Sequence, residues 1–182
     1  MLLLFARGRQ ASSVAVVRDA TYLDLPGLEK VRDSRVQFVD YLERADGDAM
    51  RFLVYERERT ILAFAVLYLR QPPSGRLAAH LPRISDLYVA EGVRSTGVGS
   101  AFIARMERIA ATHGFPVMHL SVDPVGNPRA AALYERLGYV AADEGPYRKV
   151  AYWEDDEGRV TEIEYWRMDL VKKLKSRWVR GG

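Results

Sequence analysis

Apolar residues follow two rhythms along this chain, and the switches between them predict its elements. Leu28, Val31, Phe38, Val39 and Leu42, with Arg35 in the same series, recur at near-helical spacing. Asp24 and Pro26 mark the start of that region, since a carboxylate caps free N–H groups and proline tolerates a first turn. The stretch ADGD at 45–48 ends it, so a helical region is expected over residues 24–45. The runs MRFLVY (50–55) and ILAFAVLYL (61–69) flank a short polar break, which predicts an antiparallel hairpin. The second run is apolar almost throughout, as a central strand would be. VAVVR (14–18), ISDLYV (84–89) and VMHLSV (117–122) read as further strands.

A helix follows the stretch VRSTGVGSAF (93–102), with Phe102, Met106, Ile109 and Ala110 on one face and Gly114 at its end. A second helix starts at Asn127 and Pro128, carries Leu133, Tyr134 and Leu137, and stops at Gly138. YRKVAYW (147–153) and residues 160–170 flank the acidic turn EDDEG (154–158) and predict a long hairpin. Strands and helices do not alternate strictly. The order therefore predicts a mixed α+β fold and not a doubly wound sheet.

Length and composition narrow this picture. The 182 residues suit one domain, divided here into a leader (1–12), a single domain (13–174) and a basic tail (175–182). With 48% apolar and 28% charged residues the chain is globular. Its 27 basic and 24 acidic residues leave a net charge of +3, too balanced to suggest a nucleic-acid partner. There is no cysteine. That excludes disulfides, thiol nucleophiles and thiolate metal sites, and it fits a reducing cytoplasm. MLLLF is too short for a signal peptide, and no run reaches the roughly 20 apolar residues of a membrane span. A cytoplasmic protein with no membrane partner and no metal is the expectation.

Gly97 and Gly99 raise the chemical question, because glycine at a helix start costs about 1 kcal/mol relative to alanine. The dinucleotide fingerprint fails, since Phe102 stands at its third glycine. The P-loop fails too: Gly92 and Gly97 have its spacing, but Val98 and Gly99 replace its Lys and Ser or Thr. What remains is R-x-x-G-x-G, carried by Arg94, Gly97 and Gly99 between a strand and a helix. It resembles the acetyl-coenzyme A pyrophosphate loop of the GNAT superfamily of N-acetyltransferases. NPRAAALYERLGY (127–139) resembles that family's second signature, N-x-x-A-x-x-x-Y-x-x-x-G-[FY]. The likeness is specific over about residues 83–139.

The resemblance implies the GNAT fold: a mostly antiparallel twisted sheet flanked by helices, with a splayed strand pair holding acetyl-coenzyme A. It assigns the cofactor to backbone groups of Leu87, Tyr88 and Val89, to Arg94, Ser95, Thr96, Gly97, Val98, Gly99 and Ser100, and to Asn127, Ala130 and Tyr134. A helix N-terminus with free N–H groups suits pyrophosphate, and glycine removes Cβ atoms from its approach. Ser95, Thr96 and Glu91 depart from the glycine, basic residue and proline common there. Tyr134 is placed as general acid to the leaving thiolate. Some members carry glutamate at the places of Ser85 or Ser121, so Asp86 is the carboxylate expected to act as base, with His119 and Asp123 nearby. Tyr147, Tyr152, Trp153, Tyr165 and Trp166 suit a substrate pocket, a homodimer face or plain cross-strand packing. The helical region and the C-terminal hairpin are expected to wall the acceptor site. The implied reaction is acetyl transfer from acetyl-coenzyme A to a primary amine of a small molecule or peptide. The alternative is a non-catalytic acyl-coenzyme A sensor or partner-binding protein of the same fold.

Overall fold

The two most apolar runs meet as an antiparallel pair at the centre of the molecule. Side chains alternate across a strand. Leu53, Tyr55, Ala65 and Leu67 therefore face one side of the sheet and Phe52, Val54, Phe64 and Val66 the other, all of them buried. The structure is a computed structural model that describes residues 14–70, 80–142, 145–154 and 158–175. The leader, nearly all of the basic tail and most of the acidic turn lie outside the described residues.

The strands are β1 (Val16–Asp19), β2 (Met50–Arg57), β3 (Thr60–Tyr68), β4 (Arg83–Val89), β5 (Val117–Val122), β6 (Val140–Ala141), β7 (Tyr147–Glu154) and β8 (Val160–Lys173). Their order in the sheet is β1-β2-β3-β4-β5-β8-β6, with β7 paired to β8. Every pairing is antiparallel except β4 with β5. The helices α1 (Leu25–Val31) and α2 (Arg35–Arg44) bury Leu28 and Phe38 against one face. The helices α3 (Val98–Thr112) and α4 (Pro128–Arg136) bury Phe102, Ile103, Met106 and Tyr134 against the other. Among the described residues no helix is long and apolar enough to cross a membrane.

Three local expectations change. The helical region is broken at residues 32–34, where Arg32 is extended at φ −153° and ψ 133°. Asp33 and Ser34 favour such a break because their side chains compete for backbone groups. Asp24 does not cap α1 with its side chain. Its carboxylate accepts from Thr21 N at 2.8 Å and from both terminal nitrogens of Arg18 at 2.8 and 2.7 Å, and a guanidinium is the stronger partner. The hairpin turn shrinks to Glu58 and Arg59, both at positive φ (50° and 62°), so β2 and β3 run further than the apolar pattern.

Candidate active site

β4 and β5 pair only at Arg83 with His119 and Ile84 with Leu120. Beyond that point they part. The cause lies in β4, where Phe64 pairs with Tyr88 and Val66 with Ser85, so Asp86 and Leu87 together oppose Ala65. Such a bulge bends its strand. Asp86 takes φ +46°, a conformation that L residues adopt rarely. The parted strands open two cavities, of about 450 and 440 Å³. Leu87, Asn127, Ala130 and Tyr134 line both.

The second cavity runs to the start of α3. Gly97 is the N-cap there at φ +92°, and a Cβ built on it would meet nothing within 4 Å. Its glycine thus answers a backbone demand, not a steric one. A Cβ at Gly99 would make ordinary contact with Leu133 and Val89. Arg94 donates to the Val89 carbonyl at 3.0 Å and lies over the Tyr88 ring, which ties the loop to β4. Ser95, Gly97, Gly99 and Ser100 line the cavity, as do Leu87, Tyr88 and Val89. Thr96 and Val98 do not: the Thr96 hydroxyl donates to Val93 O at 2.7 Å, and the Val98 side chain is buried in the core. Arg129 on α4 reaches across and donates to Ser95 Oγ at 2.6 Å. Free helix N–H groups flanked by Arg94, Arg129 and Arg136 form a donor set suited to pyrophosphate, and Leu87, Val89 and Leu133 supply apolar wall.

The first cavity lies between β4, β5 and β8. Tyr134 is nearly buried, and desolvation pushes its phenol up to about 12. Asn127 caps α4 by accepting from Ala130 N at 3.1 Å. Asp86 accepts from Arg32 through both oxygens, at 2.6 and 2.7 Å, and from the Tyr41 hydroxyl at 3.0 Å. Burial beside that carboxylate pushes the Tyr41 phenol up as well. Asp123 accepts from the N–H groups of Val125 and Gly126. Ser121 sits opposite Asp169 of β8 and donates to it, while Arg167 donates to Ser121 at 2.7 Å and Tyr147 to Asp169 at 2.9 Å. His119 is buried, and desolvation followed by repulsion from Arg83 lowers it to about 4.

The profile of the Acetyltransferase (GNAT) family matches residues 17–139. The chain belongs to this family. No curated protein matches it in sequence. Among solved structures, the GNAT chain is similar to the ribosomal-protein-S18-alanine N-acetyltransferase from Escherichia coli. The TM-score is 0.63 at 15% identity, over 93% of this chain and 99% of that one. It is similar to the ribosomal-protein-alanine N-acetyltransferase from Brucella melitensis, with TM-score 0.63 and 22% identity over 87% and 99%. The PaiA N-acetyltransferase from Thermoplasma acidophilum, solved in complex with coenzyme A, gives 0.61 and 15% over 88% and 99%. At these identities the likeness speaks to the fold, and the mixed sheet with its flanking helices is the GNAT fold.

In this GNAT domain the structure brings Asp86, Asn127, Ala130 and Tyr134 to one cavity, with Tyr165, Trp166 and Arg167 of β8 as its outer wall. No residue of 24–45 lines it. That region packs on the opposite face of the sheet and reaches Asp86 through Arg32 and Tyr41. Tyr152 is exposed, and the Trp153 side chain lies outside the described residues. Sequence reasoning missed Arg32, Arg129, Arg167 and Asp169. Arg129 stood inside the second signature. The others face their partners only through strand pairing or a broken helix, and no local pattern marks them.

Proposed function

We propose that the chain transfers an acetyl group from acetyl-coenzyme A to a primary amine. One observation carries the reading: two cavities share a wall at Leu87, Asn127, Ala130 and Tyr134, and one of them ends at a glycine-led helix N-terminus. That geometry suits a long cosubstrate in one arm of the cleft and an acceptor in the other.

Acetyl-coenzyme A supplies the acetyl group as a thioester. The N-terminus of α3, with Arg94 and Arg129, holds its pyrophosphate. Leu87, Tyr88 and Val89 present backbone groups to the arm between β4 and β5, and an N–H of this stretch polarises the carbonyl. Tyr134 keeps its proton at neutral pH, because burial raises it to about 12, and so can donate to a departing thiolate. The amine must shed a proton before it attacks. Asp86 is poorly suited to take it, since three donors occupy its two oxygens. The proton passes instead to water in the acceptor cavity.

A thiol-release assay over a panel of amines, paired with calorimetry of acetyl-coenzyme A binding, tests this. Turnover on at least one amine is expected. Binding without turnover on any amine would make the chain an acyl-coenzyme A sensor, and absence of binding would overturn both.

A further inference from the structure

We infer that Arg32 is a positioning residue: it holds the β4 bulge in shape through Asp86, and Asp86 acts as a strut and not as the base. The inference rests on the acetyl-transfer reading above, which gives the bulge its task.

Asp86 is a branch point in β4. Its backbone sits at φ +46°, where an L residue other than asparagine or aspartate is disfavoured. The next residues, Leu87, Tyr88 and Val89, line the proposed cosubstrate groove. Whatever keeps Asp86 in that conformation also aims their peptide groups. Arg32 has the geometry to do so. Its two terminal nitrogens donate to the two Asp86 oxygens at 2.6 and 2.7 Å, and its Nε donates to Ser34 Oγ at 3.0 Å. Tyr41 adds a third hydrogen bond to the carboxylate at 3.0 Å. The guanidinium carbon lies 4.8 Å from the Phe64 ring centre and 5.4 Å from that of Tyr88. Those two rings stack at 5.7 Å, and they belong to the register pair that closes the bulge. A planar fork fixed at both ends and lying over two aromatic rings has little freedom left. The break at residues 32–34 is what lets this side chain leave the helix and reach the strand. A base needs a lone pair open to the incoming proton, and Arg32 and Tyr41 already occupy three of the roughly four that this carboxylate has.

The test uses the full chain with Arg32→Ala, Arg32→Lys, Asp86→Ala and Asp86→Asn. Asparagine tolerates positive φ and still accepts from one Arg32 nitrogen through its single carbonyl oxygen, but it is no base. Arg32→Ala and Asp86→Ala are expected to lower kcat about 10- to 100-fold at saturating acetyl-coenzyme A, since small misplacements of reacting groups cost that much. Affinity for acetyl-coenzyme A should fall less than kcat, because the α3 N-terminus is untouched and only the Leu87–Val89 contacts are disturbed. Asp86→Asn should recover part of the loss, since it keeps one of the two contacts with Arg32. Hydrogen exchange at the Leu87 and Tyr88 amides should rise in the alanine variants and much less in Asp86→Asn. Should Arg32→Ala fail to fold, Arg32→Lys carries the comparison, keeping the charge without the fork. Asp86→Asn falling as far as Asp86→Ala would restore a base role and overturn the inference. So would wild-type kcat and exchange in the Arg32 variants. If the wild-type chain acetylates no amine, the transfer reading has failed by itself; the exchange comparison then decides the clamp alone, and unchanged exchange overturns it.

Discussion

Tyr134 lies where the two cavities meet, on the buried face of α4, with its ring packed edge-on to Tyr139 at 6.0 Å. Tyr134→Phe removes one hydroxyl and almost no volume, so the fold should survive. The acetyl-transfer rate at saturating acetyl-coenzyme A should fall by about 100-fold, the lower end for general acids, because a thiolate leaves readily. Affinity should hardly change in calorimetry, and a loss confined to affinity would make Tyr134 a binding residue. The raised pKa also sets the pH profile. With the phenol at about 12, the rate should climb with pH as the amine loses its proton and show no descending limb attributable to Tyr134 below about pH 10. Tyr134 and its helix cap Asn127 were legible in the chain because both stand in the second signature, seven residues or two helical turns apart and so on one face. The partners of Asp86 were not, because the donors that occupy it are 54 and 45 positions away.

The start of α3 shows how a loop and a helix divide a requirement between two glycines. Gly97 needs its positive φ, whereas Gly99 lies within the helix with ordinary room around it. Gly97→Ala should therefore destabilise the protein by about 1 kcal/mol in urea titrations, purely from the backbone. Gly99→Ala should instead raise stability, by up to about 1 kcal/mol, since alanine is the better helix former and its Cβ meets only ordinary contacts. If the α3 N-terminus binds pyrophosphate, Gly99→Ala should still weaken acetyl-coenzyme A, since its Cβ stands in the groove. Equal affinity in both variants and wild type would remove the phosphate cradle from the reading. The periodicity of α3, β5 and α4 was readable because each element buries one regular face. The break between α1 and α2 was hidden by apolar residues that keep helical spacing across it. The β4 bulge shifts the alternation by one, so that Ile84 and Leu87 face the same core, but the strand is too short for that slip to stand out in the sequence.

Where β4 and β5 are still joined, β4, β5 and β8 gather Arg83, His119, Ser121, Arg167 and Asp169 below the cleft, with Tyr147 of β7. His119 is held neutral there: desolvation and Arg83 disfavour its charge more than Asp169 supports it. The unfolded chain takes up the proton near its ordinary 6.5, the folded one only near about 4. Stability from this group is complete above pH 6.5 and drains away as pH falls toward about 4, because the unfolded state then binds more protons. Urea midpoints between about pH 7 and 4.5 should therefore drop more in the wild type than in His119→Phe, by on the order of 2 kcal/mol. Parallel slopes would show that His119 already accepts a proton in the folded protein. The amino-acid order by itself was enough for the element types, the glycine loop, the Asn127 cap and the family, since each rests on residues within a turn or two of one another. The parting of β4 from β5, the Arg32 clamp on Asp86 and the Ser121–Asp169 contact came from tertiary structure alone. They depend on strand order and register, which are set by how two buried faces pack around β2 and β3 and not by any neighbour along the chain.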